Sequence, residues 1–214
     1  MTDEVDEEHQ MDSARTRRQR LEALAGLSRH PVMPAILDSS TVGHFTASSA
    51  IACILAQFDL TDLESTLERI HTTSDQLVIV NIDSIIGLAQ DRGGVDYLAK
   101  IGADGVVTTR GSLISRGAEA GLVTIQKLFI TDRSNLHRAV SAVKGAKADL
   151  LQIMPSPVLP FVADHPVMKL RPVIAGGFVR DQEDIDRALS HGAIAVSVSS
   201  PELWNADRSG DSRR

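Results

Sequence analysis

Between Val32 and Trp204, short and nearly continuous apolar runs alternate with segments of helical spacing, and no other feature restricts the fold as much. The runs are Val32–Leu37, Ile51–Ala56, Leu77–Ile82, Gly105–Thr108, Leu122–Gln126, Leu150–Met154, Pro172–Ala175 and Ala193–Ser199. Most are rich in valine and isoleucine and lack a polar alternation. Strands covered on both faces read this way, which points to a parallel sheet. Between the runs, Leu60, Leu63, Leu67 and Ile70 form a helical stripe. Leu136, Ala139, Val140 and Val143 form another, and Ile185, Ala188 and Leu189 a third. Asp132, and Asp59 or Thr61, stand where helix N-caps belong. Gly102, Gly121 and Gly192 each close a helical segment just before a strand, where a left-handed residue is expected.

The strand–helix unit recurs about eight times, with a period near 20–25 residues. Eight units predict an α/β fold of TIM type, a (β/α)8 barrel. Such barrels usually take roughly 200–250 residues. This one must therefore be compact, with abbreviated helices; Ser39–Ser49 and Ser156–His165, broken by glycine, proline or many hydroxyl residues, are the expected short ones. An open doubly wound sheet is the alternative arrangement of the same units.

Three regions follow along the chain. Residues 1–31 hold an acidic tail and a possible N-terminal helix, residues 32–205 the barrel domain, and residues 206–214 a polar tail expected to be disordered. The first stretch carries Asp3, Glu4, Asp6, Glu7, Glu8 and Asp12, then Arg15, Arg17, Arg18 and Arg20, then a stripe of Leu21, Leu24 and Leu27. That pattern suits a solvated tail followed by a packing or dimerising helix, so a homo-oligomer is one expectation; an arm touching RNA is the other. The net charge of −6 and 3% aromatic content argue against an obvious nucleic-acid binder. The single cysteine, Cys53, excludes an internal disulfide framework and a cysteine zinc cluster. No apolar run approaches the roughly 20 residues of a membrane helix, and no secretory leader opens the chain, so a cytoplasmic protein with no membrane contact is expected.

In a parallel barrel, chemistry sits at the C-terminal ends of the strands. The strongest signal there is Val173-Ile174-Ala175-Gly176-Gly177-Phe178, where a strand runs into paired glycines that let backbone N–H groups approach an anion. About 20 residues on, a second strand ends at Ser199-Ser200, with Pro201 placed to open a short helix. Loops after the seventh and eighth strands form the phosphate-binding pair that recurs in such barrels. The plainer alternative is two ordinary turns that need glycine only for geometry. Arg110 and Lys127 fall at strand ends and suit an anionic ligand, or else an ion pair with a rim carboxylate such as Asp83 or Asp132. Asp83 suits hydrogen bonds from ligand hydroxyls, general-base work, or the capping of its own turn. The seven histidines are scattered without metal-ligand spacing; His71, His137 and His191 are expected on helix surfaces. No Walker loop, nucleophile elbow or Ser-His-Asp pattern is present, so no catalytic residue, metal or cofactor is assigned.

Several blocks, in order, resemble one family. They are Asn81-Ile82-Asp83-Ser84, Gly105-Val106-Val107-Thr108-Thr109-Arg110, Thr124-Ile125-Gln126-Lys127-Leu128-Phe129, Gln152-Ile153-Met154-Pro155, Ala175-Gly176-Gly177-Phe178-Val179-Arg180 and Ser199-Ser200-Pro201-Glu202-Leu203-Trp204. Together they resemble the glycerol-3-phosphate-responsive antiterminators known as GlpP, across roughly Met33 to Trp204. The resemblance implies a barrel-like regulator, not an enzyme, that binds glycerol 3-phosphate and then acts on leader mRNA to prevent transcription termination. It implies a ligand phosphate at Gly176, Gly177, Ser199 and Ser200, with Asp83, Arg110 and Lys127 at matching strand ends. The family more often carries arginine where this chain has Lys127, so a point charge replaces a fork. The competing expectation is an enzyme on a small phosphorylated metabolite, with Asp83 as base and Lys127 or Arg110 stabilising an anion.

Overall fold

The computed structural model describes residues 16–132, 134 and 136–206. The acidic run and Arg15, Arg133, and residues 207–214 lie outside the described residues. Eight parallel strands close a barrel in sequence order: β1 Val32–Ile36, β2 Ala52–Leu55, β3 Leu77–Asn81, β4 Gly105–Thr108, β5 Val123–Phe129, β6 Leu150–Met154, β7 Val173–Gly176 and β8 Ala193–Val198. The eight-unit reading therefore holds, and the open sheet does not form, because β8 pairs with β1 through Val32↔Val196.

Helices cover the barrel. An initial helix, α1, spans residues 16–24. It is followed by α2 Val42–Thr46, α3 Leu60–Thr73, α4 Arg92–Lys100, α5 Gly111–Glu119, α6 Leu136–Ala146, α7 Leu159–Val162 and α8 Gln182–Ser190. The short α2 and α7 fall in the two segments expected to be abbreviated. After β8 the described residues hold a 3-10 turn, Pro201–Leu203. Gly102, Gly121 and Gly192 all adopt positive φ. The Asp181 side chain caps α8 by accepting from Asp184 N at 2.9 Å, whereas Asp59 holds the N-cap position of α3 without a side-chain cap bond.

Side chains alternate across the barrel wall. Outward residues such as Val80, Ile82, Val106, Leu151, Ile153 and Val196 join the helices in one apolar layer. Inward residues form a second, smaller core: Met33, Ile54, Ile79, Val107, Ile125, Leu150, Ile174 and Ala195. Leu24 and Leu27 belong to that inner core and Leu21 packs against it, so the leucine stripe plugs the N-terminal mouth of the barrel. Within the first region, Leu21, Leu24 and Leu27 thus pack onto the barrel. Arg17 and Arg20 do not form a free arm either. Arg17 pairs with Asp149 at 2.6 Å and Arg20 with Asp104 at 2.8 Å.

One expectation from the sequence needs correction. β5 runs to Phe129, three residues past the expected end, because β6 supplies register partners up to Phe129↔Met154. Lys127 is therefore inside a strand and not beyond it. His71 is an exposed residue of α3, as expected, and its Nε2 lies 3.0 Å from Asp104 Oδ2 beneath the barrel.

Candidate functional site

Side-chain parity defines what fills the upper barrel. Each inward apolar residue is followed two positions later by another inward position. That next tier comprises Ala35, Ala56, Asn81, Thr109, Lys127, Gln152, Gly176 and Ser197. The apolar filling stops there and polar or small side chains replace it.

The two glycine- and serine-bearing turns are neighbours. Gly176 and Ser197 are register partners on β7 and β8, so Gly177 and Ser199–Ser200 extend from adjacent points on the rim. Gly177 adopts φ +78°, a conformation open to glycine at little cost. Phe178, at φ +58°, shares it without being glycine, and its ring stands 76% exposed above the rim. Non-glycine residues in this region are uncommon and cluster at functional sites. Among the described residues, the backbone amides of Phe178, Val179, Ser199 and Ser200 donate no hydrogen bond. Backbone N–H groups gathered in a turn form an anion-binding concavity. Arg180, just beyond, is committed elsewhere: its Nε lies 3.0 Å from Asp184 Oδ2, and that bond raises the guanidinium's proton affinity while it lowers the carboxyl's.

Gly176 is needed for a different reason. A Cβ there would lie 3.2 Å from Gln152 Nε2 and 3.4 Å from Ser197 Cβ. The Gln152 side chain occupies the space that the glycine leaves.

Lys127 sits beside Gln152, its register partner across β5 and β6. Burial pushes the Lys127 amine below its ordinary proton affinity, and the negative charge of Asp83 partly offsets that. The amine has no hydrogen bond or ion pair with any described residue.

Asp83 is fully engaged within the protein. Its Oδ1 accepts from Thr108 Oγ1 at 2.7 Å and its Oδ2 from Thr109 N at 2.7 Å. It thus ties the end of β3 to the end of β4 and does not cap its own turn. Arg110 pairs with no rim carboxylate among the described residues; its guanidinium donates to the Gln90 carbonyl at 2.5 Å, and Gln90 Nε2 donates to the Asp83 carbonyl at 3.0 Å. Asp83 and Arg110 therefore buttress one side of the mouth, while the glycine and serine turns form the opposite side, with Lys127 and Gln152 between them.

Sequence reasoning passed over Asn81, Gln152 and Phe178. The first two carried a legible signal, since each interrupts an otherwise apolar strand run with one amide. Among the described residues no group of three or more His, Cys, Asp or Glu is placed to hold a metal ion, and no helix is long and apolar enough to cross a membrane.

Known proteins share this architecture. A glycerol uptake operon antiterminator regulatory protein from Listeria monocytogenes superposes with a TM-score of 0.76 at 24% identity, over 82% of this chain and 95% of that one. A glycerol uptake operon antiterminator-related protein from Thermotoga maritima gives 0.73 at 24% identity, over 82% and 98%. The uncharacterized Escherichia coli protein YgcP is 24% identical over 180 residues, 83% of this chain and 93% of its own. These likenesses establish the fold. The sequence profile that matches residues 32–204, the whole barrel from β1 to the turn after β8, settles the lineage: the chain belongs to the glycerol-3-phosphate responsive antiterminator family.

Proposed function

We propose that this protein senses glycerol 3-phosphate and, when liganded, binds leader mRNA to prevent transcription termination. The observation that carries the reading is the adjacency of the Gly176–Gly177 and Ser199–Ser200 turns, where the backbone amides of Phe178, Val179, Ser199 and Ser200 donate no hydrogen bond among the described residues, on the same mouth as the Lys127 amine. Amides of this kind suit a dianionic phosphate, and Lys127 adds the cation. Asp83 and Arg110 shape the far wall, Asp83 through its bonds to Thr108 and Thr109 and Arg110 through its bond to the Gln90 carbonyl.

An RNA surface on the same rim is supported by its exposed rings. Phe129, Phe161 and Phe178 are 55%, 77% and 76% exposed, and all three follow or end strands at the C-terminal mouth. Unpaired bases stack on such rings. Phe178 directly follows the phosphate turn, so ligand binding there would bias the position of a base-stacking side chain, the differential contact that linkage requires.

Calorimetric titration with glycerol 3-phosphate, with glycerol and inorganic phosphate as controls, tests the sensor. Gel shifts on a structured leader RNA test the output. Saturable binding of the phosphoester, and RNA affinity that rises with it and falls with salt, are the expected results. RNA affinity that stays constant across a saturating ligand titration would remove the regulatory reading.

A further inference from the structure

The inward tier beneath the phosphate turns is lopsided. On β7, β8, β1 and β2 it carries Gly176, Ser197, Ala35 and Ala56, all small. On β3, β5 and β6 it carries Asn81, Lys127 and Gln152, all polar and larger. Small side chains make up one side of the tier and polar ones the other, and the Gln152 side chain reaches across to the Cα of Gly176.

Two of those polar groups lack partners. Asn81 and Gln152 are only 6% and 4% exposed, and the amide oxygens Asn81 Oδ1 and Gln152 Oε1 are enclosed with no hydrogen-bond partner among the described residues. Gln76 and Gln126 also carry such an oxygen. Gln76, however, spends its amide nitrogen on three loop carbonyls, and Gln126 faces outward toward Gly111 of α5. Only Asn81 and Gln152 line the barrel interior in the same tier as an unpaired lysine. A buried acceptor without a donor is costly, and the cost is recovered when a ligand brings the donor.

We propose that Asn81 and Gln152 form a hydroxyl-reading subsite below the phosphate turns, selecting phosphomonoesters of short polyols over their deoxy analogues. The inference rests on the sensor reading for where the phosphate sits. The phosphate occupies the turns, the carbon chain descends past Gly176, and hydroxyl protons are donated to the two amide oxygens. Lys127 lies between them and donates to a hydroxyl or ester oxygen. A deoxy chain brings no protons and leaves both acceptors unpaired, which is how a polar site rejects an isostere. Gly176 contributes by keeping Gln152 at the wall: any Cβ there presses on its amide.

The test is calorimetry on the full chain with three probes: glycerol 3-phosphate, n-propyl phosphate and inorganic phosphate. Glycerol 3-phosphate is expected to bind at least about tenfold tighter than propyl phosphate. Gln152→Met and Asn81→Leu, each close to the original in volume, are expected to weaken glycerol 3-phosphate about tenfold each while leaving propyl phosphate unchanged, with melting temperatures equal to or above that of the parent. Equal affinity of the parent for glycerol 3-phosphate and propyl phosphate would overturn the subsite and leave the phosphate turns standing. A variant that weakens both esters alike would overturn it in the same way. A parent that binds none of the three probes would overturn the sensor reading and the subsite together. The parent comparison needs no substitution, so a variant that fails to fold does not spare the proposal.

Discussion

The two mouths of the barrel are built on opposite principles. At the N-terminal mouth the leucine stripe and the two carboxylates beneath it are matched, and of the enclosed side-chain acceptors Gln76 Oε1 stands without a partner among the described residues. Leu24 and Leu27 are buried in the inner core, and Asp104 accepts from Arg20, His71 and Val78 N. Asp149 accepts from Arg17, Thr124 N and Thr124 Oγ1. At the C-terminal mouth matching is left incomplete. Among the described residues Lys127 is unpaired, Asn81 and Gln152 hold enclosed oxygens without partners, and the large exposed hydrophobics Leu37, Ile86, Phe129, Phe161 and Phe178 all lie at the ends of strands or in the segments that follow them. One mouth stabilises the fold and the other keeps interaction capacity in reserve, as barrels of this class divide their faces.

If that division is real, damage at the N-terminal mouth lowers stability and spares binding. Asp104→Ala strands a partly buried Arg20 and the Val78 amide, and is expected to cost about 3 kcal/mol. Leu27→Ala opens a cavity under the inner core and is expected to cost about 2–5 kcal/mol. Denaturant unfolding measures both. Glycerol 3-phosphate affinity, read at a temperature where each variant is folded, should match the parent. A tenfold loss in affinity from either change would erase the contrast between the mouths.

The reverse experiment acts on the turn after β7. Gly177→Asp forces a left-handed φ on an acidic residue with a side chain, for about 1–2 kcal/mol of stability, and puts a carboxylate at the proposed phosphate position. Like charges placed together cost several kcal/mol, so binding is expected to fall by at least about a hundredfold while the melting transition shifts by only a few degrees. Wild-type affinity in this variant would place the phosphate elsewhere.

Much of this is legible in the chain, and the remainder has a common cause. Strand runs, the two short helices and the closing glycines are local: burial on both faces, helical stripes and left-handed turns write themselves into neighbouring residues. What stays hidden depends on distant partners. Lys127 reads as a strand end because a charge rarely sits inside a strand; a barrel interior open at one mouth is the exception, and it arises only when eight strands close. The leucines of α1 announce a packing face, but not that the face is the barrel floor. Asp83 reads as a turn cap or ligand contact because Thr108 and Thr109 are 25 and 26 residues away. Asn81 and Gln152 are visible as lone amides in apolar runs, yet what they lack can be counted only once their surroundings are known.

Lys127 offers a finer way to separate the two mouths, because binding and stability should respond to it with opposite signs. Lys127→Met keeps the length of the side chain and removes an amine that burial penalises. The folded protein is expected to gain a small amount of stability and to lose about 10–100-fold in glycerol 3-phosphate affinity, the range for a hydrogen bond to a charged group. The pH dependence carries the same information with a smaller amplitude. Since burial sets the folded amine's proton affinity below its ordinary value of 10.5, the unfolded chain binds more protons in the interval just below that value. Stability of the parent therefore climbs with pH through this interval as the penalty is relieved, and Lys127→Met removes that contribution. Denaturant midpoints of the two proteins, compared from neutral pH upward, should converge. Ligand affinity of the parent should decline over the same interval, as the amine loses the charge that attracts the phosphate. A parent whose stability and affinity both rise toward alkaline pH would mean that Lys127 does not face the ligand, and the C-terminal mouth would then hold its anion by backbone amides alone.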